Sequence, residues 1–236
     1  MQLLMNKIST PDLSIDEVID CIVDPLLVSK VLKICNSSFY GLRSRVGTMR
    51  EAVVYMGLKS LMSIVTVHAL SGFSSRNAEQ VQQILHHSMK VGMIAKQLAR
   101  DMGLNHDQAF VCGLLHDLGE IIMLEVLAGY NVPYEKGSLL IEQHHTTLGK
   151  LVAKKWNFSE EIQETIRFHH APDSAQNHSN LVELIYLADL LSKNENPPPD
   201  SALSARHASL EEEYAVPFSD HLEELDREIE AILAPA

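Results

Sequence analysis

Apolar residues recur along most of this chain at the three-and-four spacing of amphipathic helices, and strand-like alternation is absent. Ser14 followed by Glu17 forms a capping box ahead of Ile15, Val18, Ile19 and Ile22. Asp24-Pro25 opens a second helix with proline at its first position, and its apolar row is Leu27, Val31 and Ile34 or Cys35. Residues 36–47, rich in Ser, Gly and Arg, read as a loop. A short helix follows as far as Tyr55, and Gly57 breaks the chain before another over 58–70. From 78 to 102 the stripe Val81, Ile84, Leu85, Val91, Ala95, Leu98 and Ala99 predicts a long amphipathic helix ended at Gly103. Further helices are predicted over about 106–128, 138–155, 159–169 and 179–193, and no internal repeat is evident.

The pattern predicts an all-α fold in which two helical subdomains, 1–72 and 73–195, pack as one domain over 1–195. Asn194 to Asp200, with three consecutive prolines, is linker-like. Residues 196–236 together read as a Pro-rich linker and an acidic tail, with a helix around His221 to Leu233.

Composition narrows the class. With 236 residues and 46% hydrophobic content the chain can bury a sizeable core. No apolar run approaches the roughly 20 residues of a membrane-spanning helix, and the N-terminus lacks a secretory pattern. Cys21, Cys35 and Cys112 are odd in number, far apart and set among apolar residues. They read as small core residues in a reducing compartment, so a cytoplasmic location is expected. The net charge of -12 argues against duplex nucleic acid as a partner. One local exception is the basic set Lys30, Lys33, Arg43, Arg45, Arg50 and Lys59. It reads either as an anion- or partner-binding face or as a solvated one.

Candidate chemistry comes from histidines in places where solvated ones do not belong. His116-Asp117 ends the apolar run Leu114-Leu115, and imidazole with carboxylate suits divalent transition ions. Adjacent residues on a helix diverge by about 100°, so a shared ion needs this pair at a helix end or bend, which Gly119 would permit. His87 lies beside the stripe of the long helix, His145 in the row Ile141, Leu148, Val152, and His169 with Ile162 and Ile166. Asp189 lies in the row Val182, Ile185, where a carboxylate is costly unless paired or metal-bound. Other readings stay open here. His87 suits a core histidine bonded to a carbonyl, either His144 or His145 could face inward, His169-His170 could cap their helix, and Asp189 could pair with a lysine.

The order His87, His116-Asp117, His145, His169-His170, Asp189 resembles the HD superfamily of metal-dependent phosphohydrolases, and most of all the fuller ligand set of the HD-GYP phosphodiesterases. The flanks resemble one branch, the HDOD domain of bacterial signalling proteins. These are Asp24-Pro25-Leu26, Asn36-Ser37-Ser38-Phe39-Tyr40-Gly41, Glu51-Ala52-Val53 through Met56-Gly57-Leu58, and Phe110-Val111-Cys112-Gly113-Leu114-Leu115 before His116. Trp156 and His169-His170-Ala171-Pro172 continue the likeness, which covers about residues 1–195. It implies that the second subdomain is an HD-type helical bundle. It also implies one or two divalent ions (iron, manganese or zinc) on His87, His116, Asp117, His145, His169, His170 and Asp189.

Two departures bear on activity. Catalytic HD-GYP members carry Gly-Lys after the His-Asp pair, with the lysine facing the phosphate, whereas this chain has Gly119-Glu120. The Gly-Tyr-Pro motif is also absent, with Ala171-Pro172-Asp173-Ser174 in its place. The expectation is therefore a regulatory signal-transduction module that acts through signalling proteins or a nucleotide. The alternative is a phosphohydrolase or phosphodiesterase acting on a nucleotide or cyclic dinucleotide, with Asp117 as its catalytic residue bridging two ions. HDOD domains generally begin with a full first helix, of which Gln2 to Ile8 resembles the end, so the chain reads as the output domain of a longer, response-regulator-like protein.

Overall fold

The structure is a computed structural model, and it describes residues 15–22, 24–71, 77–193 and 223–233. Helices follow in the order α1 (Ile15–Cys21), α2 (Pro25–Cys35), α3 (Met49–Ser71), α4 (Ala78–Asp101) and α5 (His106–Leu115). Then come α6 (Leu118–Gly129), α7 (Tyr134–Lys155), α8 (Glu160–Phe168), α9 (Ser179–Lys193) and α10 (223–233). Short 3-10 turns occupy Ser38–Tyr40 and Pro172–Ser174, and the described residues contain no strand. The fold is all-α, as the periodicity predicts. The Ser14 cap, the segment Gln2 to Ile8 and the proline-rich linker lie outside the described residues.

Two details differ from the sequence reading. The helix expected over 106–128 is two helices, parted at His116 and Asp117. Its apolar row runs on through the break, so periodicity cannot reveal it. Helix α7 begins at Tyr134 rather than 138, because Pro133 supplies the extended backbone that precedes a helix. The 36–47 loop is pinned by Asn36. Its amide donates to the carbonyls of Leu32 and Val46 at 2.9 and 2.8 Å, and its Oδ1 accepts from the Val46 amide at 2.7 Å. Gly57 breaks α3 as expected; its φ of 79° lies where a side chain would strain the backbone.

Helix α4 is the shared beam. Val81, Leu85 and Met89 join a core with Val31 and Ile34 of α2, Leu61 and Val65 of α3, and Phe110 and Leu114 of α5. Further along, Val91, Ile94 and Leu98 pack with Cys112 of α5 and Leu184, Ile185 and Ala188 of α9. The first core also takes in Ile229 and Ile232 of α10. Burying Phe110 completely makes it a keystone, since deleting such a ring typically costs about 3–5 kcal/mol.

A buried lysine links α4 to α5 and to the turn at Tyr40. Lys96 is fully buried on α4; its Nζ lies 2.9 Å from Asp107 and 4.2 Å from the centre of the Tyr40 ring. Burial lowers its pKa, and the Asp107 carboxylate works against that. Cys35 and Cys112 are free buried thiols, and burial pushes Cys112 up to about 12. Among the described residues no helix is long and apolar enough to cross a membrane.

Candidate metal centre

The break between α5 and α6 builds the centre. Leu115 closes α5, His116 keeps helical backbone, and Asp117 leaves it at φ −97° and ψ 19°. The two adjacent side chains, which would diverge on a continuous helix, meet instead: His116 Nε2 lies 3.0 Å from Asp117 Oδ2. Asp117, not Gly119, makes the bend. Gly119 serves a packing role, because a Cβ there would collide with the backbone carbonyl of His145 and lie 3.0 Å from the Gly149 amide. Only a glycine lets α6 approach α7 so closely at the level of His145.

Asp117 is the meeting point. Its Oδ2 lies 3.6 Å from His87 Nε2 of α4, and its Oδ1 lies 3.8 Å from His145 Nε2 of α7 and 3.3 Å from His169 Nε2 at the end of α8. Two groups with ligand atoms mutually within 4.8 Å result: His87, His116 and Asp117, and Asp117, His145, His169 and His170. Asp189 of α9 adjoins the first group, with Oδ1 2.9 Å from His87 Nε2. Of the two candidates on α7, His145 is buried and His144 exposed. His170 is exposed and packs at a tilt against His169, with ring centres 4.0 Å apart.

The histidines are oriented for a ligand. His116 Nδ1 faces the Gly113 carbonyl at 2.7 Å, His145 Nδ1 that of Ile141 at 2.9 Å, and His169 Nδ1 that of Ile166 at 3.1 Å. A carbonyl fixes the proton on Nδ1 and leaves the Nε2 lone pair for the centre. His87 Nε2, His116 Nε2, Asp117 Oδ1 and Asp189 Oδ1 are buried without a well-formed hydrogen bond. These atoms are held only by ion-pair contacts such as His116–Asp117, His87–Asp189 and Lys193–Asp189. So many poorly bonded buried atoms in one place are costly in a folded protein, and a divalent cation among them would complete their bonding. The residues present therefore fit a metal ion.

Electrostatics fit as well. Burial opposes the Asp117 charge, yet His116 and His169 hold its carboxyl well below the usual range. Burial likewise opposes the Asp189 charge, and His87, His116 and Lys193 keep that group ionised. Burial would lower His116, but Asp117, Asp189 and the Gly113 carbonyl outweigh it and raise the imidazole to about 9. Burial and the neighbouring His169 push His170 down to about 3.

A cleft of about 380 Å³ opens onto this centre, lined among others by Gln83, His87, Asp117, Glu120, Tyr134, Glu142 and Lys193. Glu120 thus lies beside the centre, where burial and the Asp117 charge raise its carboxyl to about 7. The pairing with a lysine left open for Asp189 is met by Lys193, which the sequence reading did not single out. Its ammonium sits 2.9 and 3.0 Å from the Asp189 carboxylate, four residues back on the same helix. The i, i+4 spacing was the signal available. Ser192 was also missed; its hydroxyl stands 3.3 Å from His87 Nδ1.

Of the basic set, Lys30 has its pKa lowered by burial, against Asp24, and by the charge of Lys33, which is near enough to be felt. Lys33 and Arg45 line one cleft beside α10, and Lys30 lines a separate one. Arg50 is paired with Asp16. Arg43 and Lys59 are exposed, and the charge of Lys59 is felt at Cys112 on α5.

Comparison with known proteins adds the family. The model of the HDOD domain matches residues 1–172. An uncharacterized protein of Treponema pallidum (strain Nichols) is 27% identical over 206 residues, which is 79% of this chain and 40% of that protein. Ribonuclease Y of Mesoplasma florum is 29% identical over 176 residues, 74% of this chain and 30% of the enzyme. The chain thus spans well under half the length of these relatives. A crystal structure of an HDOD domain protein of unknown function from Geobacter sulfurreducens superposes with a TM-score of 0.68 at 24% identity, covering 99% of this chain and 91% of that one. A protein from Shewanella amazonensis SB2B, provisionally named a metal-dependent phosphohydrolase, superposes with a TM-score of 0.72 at 20% identity, covering 98% and 89%. At these identities the structural likeness speaks for the fold.

Proposed function

Since this chain belongs to the HDOD domain family, we propose that it is a regulatory signal-transduction module with a retained HD-type metal centre. The observation that carries the reading is the convergence of His87, His116, His145 and His169 on the Asp117 carboxylate, with buried ligand atoms left unsatisfied. His87, His116, Asp117 and Asp189 would hold one ion, and Asp117, His145, His169 and His170 a second; iron, manganese and zinc all suit these donors. An ion there supplies Lewis acidity toward phosphate oxygens. The protein's own share is to fix four helices and the α5–α6 turn around it, so occupancy and subdomain order are coupled. We read residues 1–72 and 73–195 as the two subdomains of one cytoplasmic domain over 1–195, followed by a linker and tail. It would serve as the output end of a longer signalling protein.

Proton release should accompany metal uptake. Without metal, His116 is held charged at neutral pH by Asp117, and an ion must displace that proton. Apparent affinity is therefore expected to rise with pH, about tenfold per unit between roughly pH 7 and 9, and to level off above. Calorimetry in buffers of different ionisation enthalpy measures this directly. An affinity flat over that window would remove the charged His116 from the account.

A second reading is phosphodiester hydrolysis, favoured by the completeness of the donor set and by relatives named ribonuclease Y. The cleft argues against efficient turnover. Glu120 and Glu142 face it, and Lys193, the one lysine or arginine among its described lining residues, is ion-paired to Asp189. Catalysis needs positive charge beyond the metals where phosphate charge develops. Negligible hydrolysis of cyclic dinucleotides, RNA oligonucleotides and generic phosphodiesters is expected with iron, manganese or zinc supplied under reducing conditions. Multiple turnovers that vanish in Asp117→Ala would establish the enzyme reading instead.

A further inference from the structure

Helix α10 is seated in a groove that both halves of the domain build. Leu225, Ile229, Ile232 and Leu233 recur at helical spacing and face the core, with Ile229 and Ile232 fully buried. The floor beneath Ile232 and Leu233 includes Ile34 of α2, Ile64 and Val67 of α3, and Leu85 and Met89 of α4. The rim is polar and cationic. Lys90 Nζ lies 2.8 Å from the Asp226 carboxylate, with His86 at 3.7 Å on its other side. Lys33 donates to the Ala231 carbonyl at 3.1 Å, and the Ser38 amide donates to Glu228 at 3.0 Å. The helix itself carries Glu223, Glu224, Asp226, Glu228 and Glu230.

Two features mark the helix as a replaceable occupant. It is short, and helices of this length are marginal alone, so its form depends on the groove. It also underfills its seat: beside it an open cleft of about 660 Å³ is lined by Leu32, Lys33, Arg45 and Val46 on one side and Glu228 and Ile232 on the other. A bulkier acidic helix would gain ion pairs there with Arg45 and with Lys33, which α10 engages through the Ala231 carbonyl. The seat is also close to the metal centre in the chain, since His86 and Lys90 flank His87 on α4.

We propose that this groove is the docking site for an acidic amphipathic helix of a signalling partner, and that α10 occupies it as an intramolecular competitor. The proposal deepens the regulatory reading by naming the partner's chemistry; it does not depend on metal occupancy. The probe is a fluorescent peptide with the sequence of residues 221–236, titrated into the full chain. Wild type is expected to bind it weakly, because the tethered helix competes at high local concentration. Ile229→Asp in the full chain should bind it at least about tenfold more tightly, since linkage of this kind is commonly worth about 100-fold or more. The milder Asp226→Lys, which removes the Lys90 contact, should fall between. A peptide with Asp226 and Glu228 both changed to lysine should lose binding to either chain.

Equal affinity for wild type and Ile229→Asp, or binding by neither, would overturn the proposal. Loss of cooperative unfolding in Ile229→Asp would do the same, by making α10 an integral part of the core. So would concentration-dependent dimers that exchange α10, which would make a second copy the occupant. Metal content measured on the same samples keeps the two readings apart: bound metal with no peptide binding sinks the groove and leaves the centre.

Discussion

Asp117→Ala is expected to empty the centre of metal and to lower the melting temperature of the metal-loaded protein by roughly 6–16 °C. Asp117 belongs to both ligand groups and lies within 3.0 to 3.8 Å of His87, His116, His145 and His169. Without it, Asp189 beside His87 is the carboxylate left among the buried imidazoles, and His116 loses its main charge partner. A ligand present at about 100 to 1,000 times its dissociation constant stabilises the folded state by about 3–4 kcal/mol. In a domain of this size each kcal/mol moves the midpoint by about 2–4 °C. Differential scanning fluorimetry with and without added metal reads the effect. Equal metal-dependent shifts in wild type and Asp117→Ala would remove Asp117 from the centre.

Gly119→Ala should be the most damaging single methyl in the protein, costing about 3 kcal/mol or more. The added Cβ meets backbone on α7, the His145 carbonyl and the Gly149 amide, rather than a side chain able to rotate away. Helices α6 and α7 would have to separate, and His145 would move off Asp117 with them. Metal affinity should therefore fall together with stability, although residue 119 offers no ligand atom. Denaturant unfolding of wild type and variant is the measurement. A difference within about 0.5 kcal/mol, the ordinary range for harmless surface changes, would show that the helices have room to spare.

Several parts of this site are legible in the sequence for one physical reason. A ligand on a helix inside a bundle must share a face with the apolar residues that bury it. That is why His87, His145, His169 and Asp189 stand out in their rows; the structure places the three histidines around Asp117 and Asp189 against His87. What is illegible depends on a neighbour's position. The α5–α6 break hides from periodicity inside an unbroken apolar row, and only the need of His116 and Asp117 to share an ion points to a bend there. The role of Gly119 exists only because α7 crosses there. The buried carboxylate of Glu164 accepts the amides of Asn177 and His178, both at 3.0 Å, which holds the turn before α9. In sequence it is one acid among several. Lys96 reads as a polar gap in a stripe, but Asp107 and Tyr40 give its charge a place in the interior.

The most direct measurement is the metal content of the full chain, produced without an affinity tag under reducing conditions and assayed by elemental mass spectrometry. The account predicts one to two divalent transition ions per chain, kept in Glu120→Ala and lost in Asp117→Ala. Protein that emerges without stoichiometric metal, and takes up none when incubated with iron, manganese or zinc, would contradict it.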